Sequence, residues 1–213
     1  MSTRWKLFGS VAIVALLATA FIAAGCGDDD DDEGAPAAET DGAFIAEMTT
    51  HHEAAIEMAE IAQDRAEHKQ VRDLADAIVA AQSEEIEGME AMHERMFGEP
   101  PHGADHGTLG MAEHEMGMDM DPMHLEDAEP FDQAFIDAMI PHHQGAIRMA
   151  RIELERGEDP ELQDLAAAII DAQSREIAQM NEWRERWYGA PSPAGGVPPE
   201  EETESPTHEE MGH

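Results

Sequence analysis

Residues Phe44 to Gly98 align without a gap on Phe135 to Gly189, and about half of the paired positions are identical. The stretch MTTHHEAAIEMAE, beginning at Met48, returns at Met139 as MIPHHQGAIRMAR. A chain duplicated in this way builds its fold from two copies of one unit, each burying a face that it cannot bury alone. Within both copies apolar residues recur at spacings of three and four rather than two, and β-branched runs bounded by turn signals are missing, so both are helical. The second copy breaks at Gly157-Glu158-Asp159-Pro160, a helix stop followed by an N-cap and a first-turn proline, and the first breaks at Glu67-His68-Lys69. The expected product is an all-α, four-helix bundle of two repeated helical hairpins. Its helices lie near 41–67, 70–97, 131–157 and 160–188, inside hairpin repeats spanning 41–98 and 131–189.

The ends are of a different character. Arg4 and Lys6 precede an apolar run, LFGSVAIVALLATAFIAA, which small residues connect to Cys26, the one cysteine in the chain. Residues 1–25 therefore read as an export signal with a lipobox, Ala23-Ala24-Gly25-Cys26, in which Ala23 stands where leucine is usual and Cys26 would be lipidated. An uncleaved membrane anchor and simple secretion are the alternatives. The run barely reaches the roughly 20 residues that a bilayer requires, and Gly9, Ser10 and Thr19 dilute it. Lipidation of Cys26 would leave no free thiol, which excludes disulfides and thiolate metal sites. Residues 26–40, with the run DDDDDE from Asp28, read as a self-repelling acidic tether, with a calcium site as the alternative.

The chain carries 48 Asp plus Glu against 12 Lys plus Arg, a formal charge of -36. Such a balance argues against a nucleic-acid partner, which needs cations to neutralise phosphates, and favours solubility and the local accumulation of cations. Residues 99–130 are a Gly-, Pro-, His- and Met-rich segment, expected as a long mobile middle loop. Residues 190–213, with Pro191, Pro193, Pro198 and Pro199, are expected as a disordered tail.

Advancing about 100° per residue, the first helix aligns Phe44, Met48, Ala55, Ala59 and Ala62 in one stripe, with His51 and His52 on its two shoulders. The second carries Leu74, Ile78, Ala81, Met89, Met92 and Met96, with Glu85 in the middle of the stripe and Gln82 close to it. Folding the hairpin at residue 68 brings His51 and His52 level with Glu85, and Met48 level with Met89. In the second copy, folded about residue 159, His142 and His143 come level with Glu176, and Met139 comes near Met180. Met58 and Met149 follow about two turns along the same side. An acid on an apolar face is costly unless it is paired or bound to a metal. Two readings meet that condition: a satisfied His-Glu pair in a methionine-padded core, and a metal site. Pro141, where the first copy has Thr50, removes a backbone donor and should kink the third helix before His142 or restart it at Pro141.

Imidazole suits copper, zinc, iron and nickel, whereas thioether selects Cu(I). On the metal reading His51, His52, His142 and His143 are the imidazoles, and Met48, Met58, Met89, Met139, Met149 and Met180 are the soft donors. Glu85 and Glu176 are either ligands or acceptors that fix the ring tautomers. The middle segment adds His102, His106, Met111, His114, Met116, Met118, Met120, Met123 and His124 as accessory donors, and its MGMDMDPM resembles the methionine motifs of extracellular copper handlers. An acidic linker with incidental methionines is the alternative there, and His208, Met211 and His213 form at most a weak terminal site. A di-iron oxidoreductase needs Glu-x-x-His on two helices. Within the expected helices only Glu90-Ala91-Met92-His93 fits, and its repeat counterpart, Asn181 to Arg184, does not. No nucleophile constellation or phosphate loop is present in the sequence.

The runs MIPHHQGAIRMA and AAAIIDAQSREIAQM, with the tryptophan that follows at 183, resemble the bacterial secreted domain-of-unknown-function family 305. The resemblance covers both copies. It implies a ferritin-like four-helix bundle outside the cytoplasm and, from some members, copper binding and tolerance, in a family with no established activity. The first copy departs from the motif at Thr49-Thr50, where the second has Ile140-Pro141, so its site is expected to bind less tightly or differently. Taken together, the expectation is an extracytoplasmic lipoprotein that sequesters or delivers copper, as Cu(I), Cu(II) or both, with zinc or iron as alternatives. Its partners would be the metal ion, the membrane through Cys26, and a metal-receiving protein. A ferritin-like iron oxidoreductase and a non-metal structural or interaction module, whose buried polar layer fixes helix register, are the rival classes. A loop of about 33 residues can extend to roughly 100 Å, longer than a helix of about 40 Å. Both orientations of the second hairpin are therefore open, as is the merging of the two clusters.

Overall fold

Helices α1 (Ala37–Arg65) and α2 (Lys69–Phe97) form one hairpin, α4 (Phe131–Arg156) and α5 (Pro160–Tyr188) form the other, and a one-turn helix α3 (Met123–Glu126) lies between them. The computed structural model describes residues 37–101, 109–119 and 122–200, and of Met123 the backbone alone. The export signal, Cys26, the tether to residue 36, His102, His106, Met120, His208, Met211 and His213 lie outside the described residues. The described residues contain no strand, and none of their helices is long and apolar enough to cross a membrane.

The helix ends follow local chemistry. Asp159 caps α5 by accepting from the backbone N–H groups of Glu161 and Leu162, with Pro160 in the first turn. Gly98 and Gly189 end α2 and α5 in the left-handed conformation that glycine adopts without a Cβ penalty. Two expectations change at the ends of the first and third helices. α1 begins at Ala37, ahead of residue 41, because Thr40 is buried in the bundle rather than solvated in a tether. α4 does not restart at Pro141; it runs through the proline as one helix.

Phe44, Met48, Ala55, Ala59 and Ala62 form the buried stripe of α1. On α2 the core line differs from the expected one. Ala81 faces solvent, and Gln82 takes the buried place between Ile78 and Met89. The same shift occurs on α5, where Gln173 is buried between Ile169 and Ile177. A helix with 3.6 residues per turn lets 78, 82 and 89 share a face, and an alanine at 81 has too little apolar surface to pull the helix round.

The hairpins lie head to tail, with α1 packed on α4. One part of the core joins Ala62, Val71 and Leu74 near the turn of the first hairpin to Phe131, Phe135 and Trp183 at the open end of the second. The other joins Phe44, Met48 and Met92 at the open end of the first to Leu162 and Ala166 near the turn of the second. Two buried aspartates lock this arrangement reciprocally. Asp132 accepts from the backbone N–H groups of Glu67 and His68, at 2.9 and 2.8 Å, and from the His68 ring. Its repeat partner Asp41 accepts from the N–H groups of Glu158 and Asp159, at 3.0 and 3.2 Å. Each hairpin thus supplies the carboxylate that satisfies the turn of the other. Both carboxylates are buried, and without such donors their burial would be costly.

The described part of the middle segment is packed, which differs from a wholly mobile loop. Leu109, Met111 and Met116 are buried among Met48, Met89 and Met149. The described start of the tail is also bound to the bundle: Gln144 donates to the carbonyls of Ala194 and Gly196, and Arg151 to those of Pro198 and Pro199.

Candidate metal centre

The two His pairs sit midway along α1 and α4, between the two parts of the core, and all four rings are buried. His51 and His142, one from each hairpin, face each other with ring centroids 3.7 Å apart. The clusters therefore join in one imidazole layer across the hairpin interface. His52 Nε2 is 2.7 Å from Glu85 Oε2, and His143 Nε2 is 2.7 Å from Glu176 Oε2. The glutamates are half-buried, at the margin of the layer rather than in the middle of the apolar stripe.

These bonds decide which nitrogen is free. A carboxylate can only accept, so with a neutral ring Nε2 carries the proton and Nδ1 keeps the lone pair. His51 is set in the same way by a different group: its Nε2 donates to the Met116 carbonyl at 2.8 Å. The Nδ1 atoms of His51, His52 and His143 and both ring nitrogens of His142 are buried without a hydrogen-bond partner. Burial pushes the His51 pKa down to about 3, against the Met116 carbonyl and with help from His52 and His143. His142 is also held well below the usual histidine range, first by burial and then by His51, His143 and His52. The His51 backbone lies close enough to favour its charged form slightly without completing a bond to either ring nitrogen. Neutral imidazoles with unsatisfied lone pairs are the form that binds metal ions.

The methionines flank this layer on both sides. Met48, Met89 and Met149 are buried in one part of the core, and Met58, Met139 and Met180 in the other. Met58 and Met149 therefore fall with the methionines of the opposite hairpin, not with those of their own copy. Head-to-tail packing causes the exchange. Among the described residues no three His, Cys, Asp or Glu side chains stand close enough to hold an ion by themselves. Imidazole with thioether in the adjoining core is a donor chemistry that suits copper.

The accessory donors divide. Met111 and Met116 are buried, Met118 is half-buried, and His114 and His124 are exposed on a cavity of about 310 Å³ beside Pro141. The Glu-x-x-His spacing on α2 does not join the layer: Glu90 is exposed, and His93 donates to the Glu99 carbonyl and lies against Phe97. Gln82 and Gln173 were absent from the expected donor set. Each is buried three residues before the paired glutamate, with its Oε1 unpartnered, and their identity in both copies was the available signal. The Met116 carbonyl was not foreseeable from residue type. Gly145 was the clue to it, as a glycine in a helix interior where the first copy has Ala54.

A structure of CopM in its Cu(I)-bound form is 40% identical to this chain and covers 70% of it and 98% of CopM, with a TM-score of 0.61; CopM in a Cu(II)-bound form matches at 39% identity. The DUF305 protein from Streptomyces coelicolor is 26% identical, covers 73% of this chain and 98% of its own, and has a TM-score of 0.65. "Uncharacterized protein L153" of Acanthamoeba polyphaga mimivirus is 42% identical over 50 residues, which are 24% of this chain and 33% of the viral protein. The chain thus spans about a third of the length of that relative. The family model described as "Domain of unknown function (DUF305)" matches residues 41–184 and 132–213, and the chain belongs to that family.

Proposed function

We propose that this protein binds copper outside the cytoplasm, sequestering it or passing it on, and does so in the imidazole and thioether layer between its hairpins. The observation that carries the reading is the set of buried imidazole nitrogens without partners. In a layer built only for packing, such atoms would be a desolvation cost with nothing to offset it. His51, His52, His142 and His143 are the nitrogen donors; the first two and His143 present Nδ1, and His142 can present either ring nitrogen. Met48, Met58, Met89, Met139, Met149 and Met180 are the sulfur reserve, and Glu85 and Glu176 orient the rings from outside. The copper-bound state of CopM supports the choice of metal. Lipidation at Cys26 would hold the bundle at the extracytoplasmic face of the membrane.

The test is an anaerobic titration of the soluble part with Cu(I), Cu(II), Zn(II) and Fe(II), before and after replacing all four histidines by alanine. Copper retained by the parent and lost by a folded variant supports the reading. Equal copper in both would sink it, and a parent that binds none would leave the layer as a device for helix register.

A further inference from the structure

Residues 111–118 cross α4 as a strap, and two glycines permit the approach. A Cβ on Gly145 would lie 1.9 Å from the Met116 carbonyl oxygen, and one on Gly117, whose φ is +70°, would lie 2.2 Å from the Pro141 carbonyl oxygen. The strap is turned on itself by Ala112 N–H to Glu115 Oε2 at 2.8 Å and Met116 N–H to the Ala112 carbonyl at 3.1 Å. Its side-chain anchor to α4 is Arg148, which donates to the Glu115 carbonyl at 2.9 Å. On its inner side it holds His51 through Met116 and buries the Met116 side chain. Its outer side faces the cavity lined by His114, Gly117, Asp119, His124, Ala138 and Pro141. A thin piece of backbone thus separates an outer group of two imidazoles and a carboxylate from the buried layer, and Pro141, in the cavity wall, directly precedes His142.

We propose that the cavity is a transient docking site for copper and that the strap is the gate through which the ion passes to the buried imidazoles. The inference rests on the copper reading above. The inner rings are buried, so no ion reaches them until something moves. Separating α1 from α4 would open the whole core, whereas lifting the strap at Met116 and Gly117 breaks the His51 bond and the Arg148 bond and leaves all four long helices packed. The outer donors surround a cavity instead of closing on a point. Such an arrangement suits loose capture and release rather than storage.

Two variants loosen the gate without touching an imidazole. Gly145→Ala forces the Met116 backbone away, and Arg148→Ala removes a partly exposed anchor with little risk to folding. Diethyl pyrocarbonate modification, followed by peptide mass spectrometry on the full chain, reads the gate without metal. His51 and His142 should react about tenfold faster in both variants, with exposed His114 unchanged. Stopped-flow transfer of Cu(I) from a chromophoric chelator reads the cavity. His114→Ala with His124→Ala should slow uptake severalfold and leave the affinity of the buried site unchanged. Unchanged modification rates in both loosened variants overturn the gate, and an unchanged uptake rate in the double variant overturns the docking site. If the parent binds no copper the function proposed above fails, while the modification rates still decide whether the strap covers the rings.

Discussion

At the level of single residues, the convergence of His52 with Glu85 and of His143 with Glu176 was legible because the repeat fixes the turn, and the turn fixes which positions stand level. What spacing could not supply was the outcome within each pair. One histidine of each copy meets the acid and the other meets the opposite hairpin, since adjacent residues point about 100° apart. The glutamates hold Nε2, so their removal should loosen the rings without deleting a ligand. Glu85→Ala with Glu176→Ala is expected to lower copper affinity about 10- to 100-fold in a protein that still unfolds cooperatively. A competition titration measures it, and parental affinity would make both acids spectators. Glu153 was wholly illegible, because its repeat partner is Ala62 and nothing in the sequence places it against Asp41. In the fold its carboxyl is buried, and burial followed by Asp41 and then Asp159 raises its pKa from 4.5 to about 8. The folded state therefore keeps a proton that the unfolded chain releases above about 4.5, and stability should fall as pH rises from there to about 8. At about 1.4 kcal/mol for each pH unit of that span, the loss is at most about 5 kcal/mol. Glu153→Ala, which copies the first repeat, should flatten that slope. Urea midpoints at pH 5 and pH 8.5 compare the two, and an equally steep slope in the variant would rule Glu153 out as its source.

At the level of elements, four helices with a repeat break in each copy followed from hydrophobic period and from Gly-Glu-Asp-Pro at 157–160. The start of α1 did not, because Thr40 looks like a tether residue until the bundle is present to bury it. Asp41 and Asp132 satisfy turns about 65 to 118 residues away in sequence, and no local pattern reports such a bond. Their loss should be felt as lost docking rather than lost helix. Asp132→Ala leaves two backbone N–H groups and the His68 ring without an acceptor, which should cost about 2 to 4 kcal/mol. A urea midpoint shift at constant slope is the expected signature. A shift under about half a kcal/mol would mean that water replaces the carboxylate, as only exposed sites allow. The strap shows the same limit from the other side. Composition pointed to a mobile His/Met segment, and what lets residues 111–118 reach their anchors on Arg148 and His51 is absence of bulk at Gly145 and Gly117, which no motif reports.

At the level of the whole molecule, duplication made the family and the bundle readable and left hairpin orientation open, because a long linker permits both. Head-to-tail packing is selected by the interface itself: it lets each aspartate reach the opposite turn and sets His51 against His142. The two halves therefore relate to each other much as the subunits of a twofold dimer do. A consequence is that the second hairpin should find its missing half in a second copy of itself. A fragment of residues 131–200 is expected to sediment as a helical dimer at tens of micromolar protein in about 0.15 M salt, where screening shortens the reach of its acidic charge to about 8 Å. The His142 and His143 pairs would then meet across the new twofold axis, with no strap to cover them. A fragment that stays monomeric with weak helical dichroism would show that the asymmetric features, the strap on Gly145 and the His68 contact to Asp132, are needed for either half to fold. Replacing His142 by leucine in the same fragment separates the two contributions to the dimer. If the imidazole layer is kept for an ion and not for packing, the leucine dimer should be tighter, since hydrocarbon buries without the desolvation cost of unpaired nitrogen.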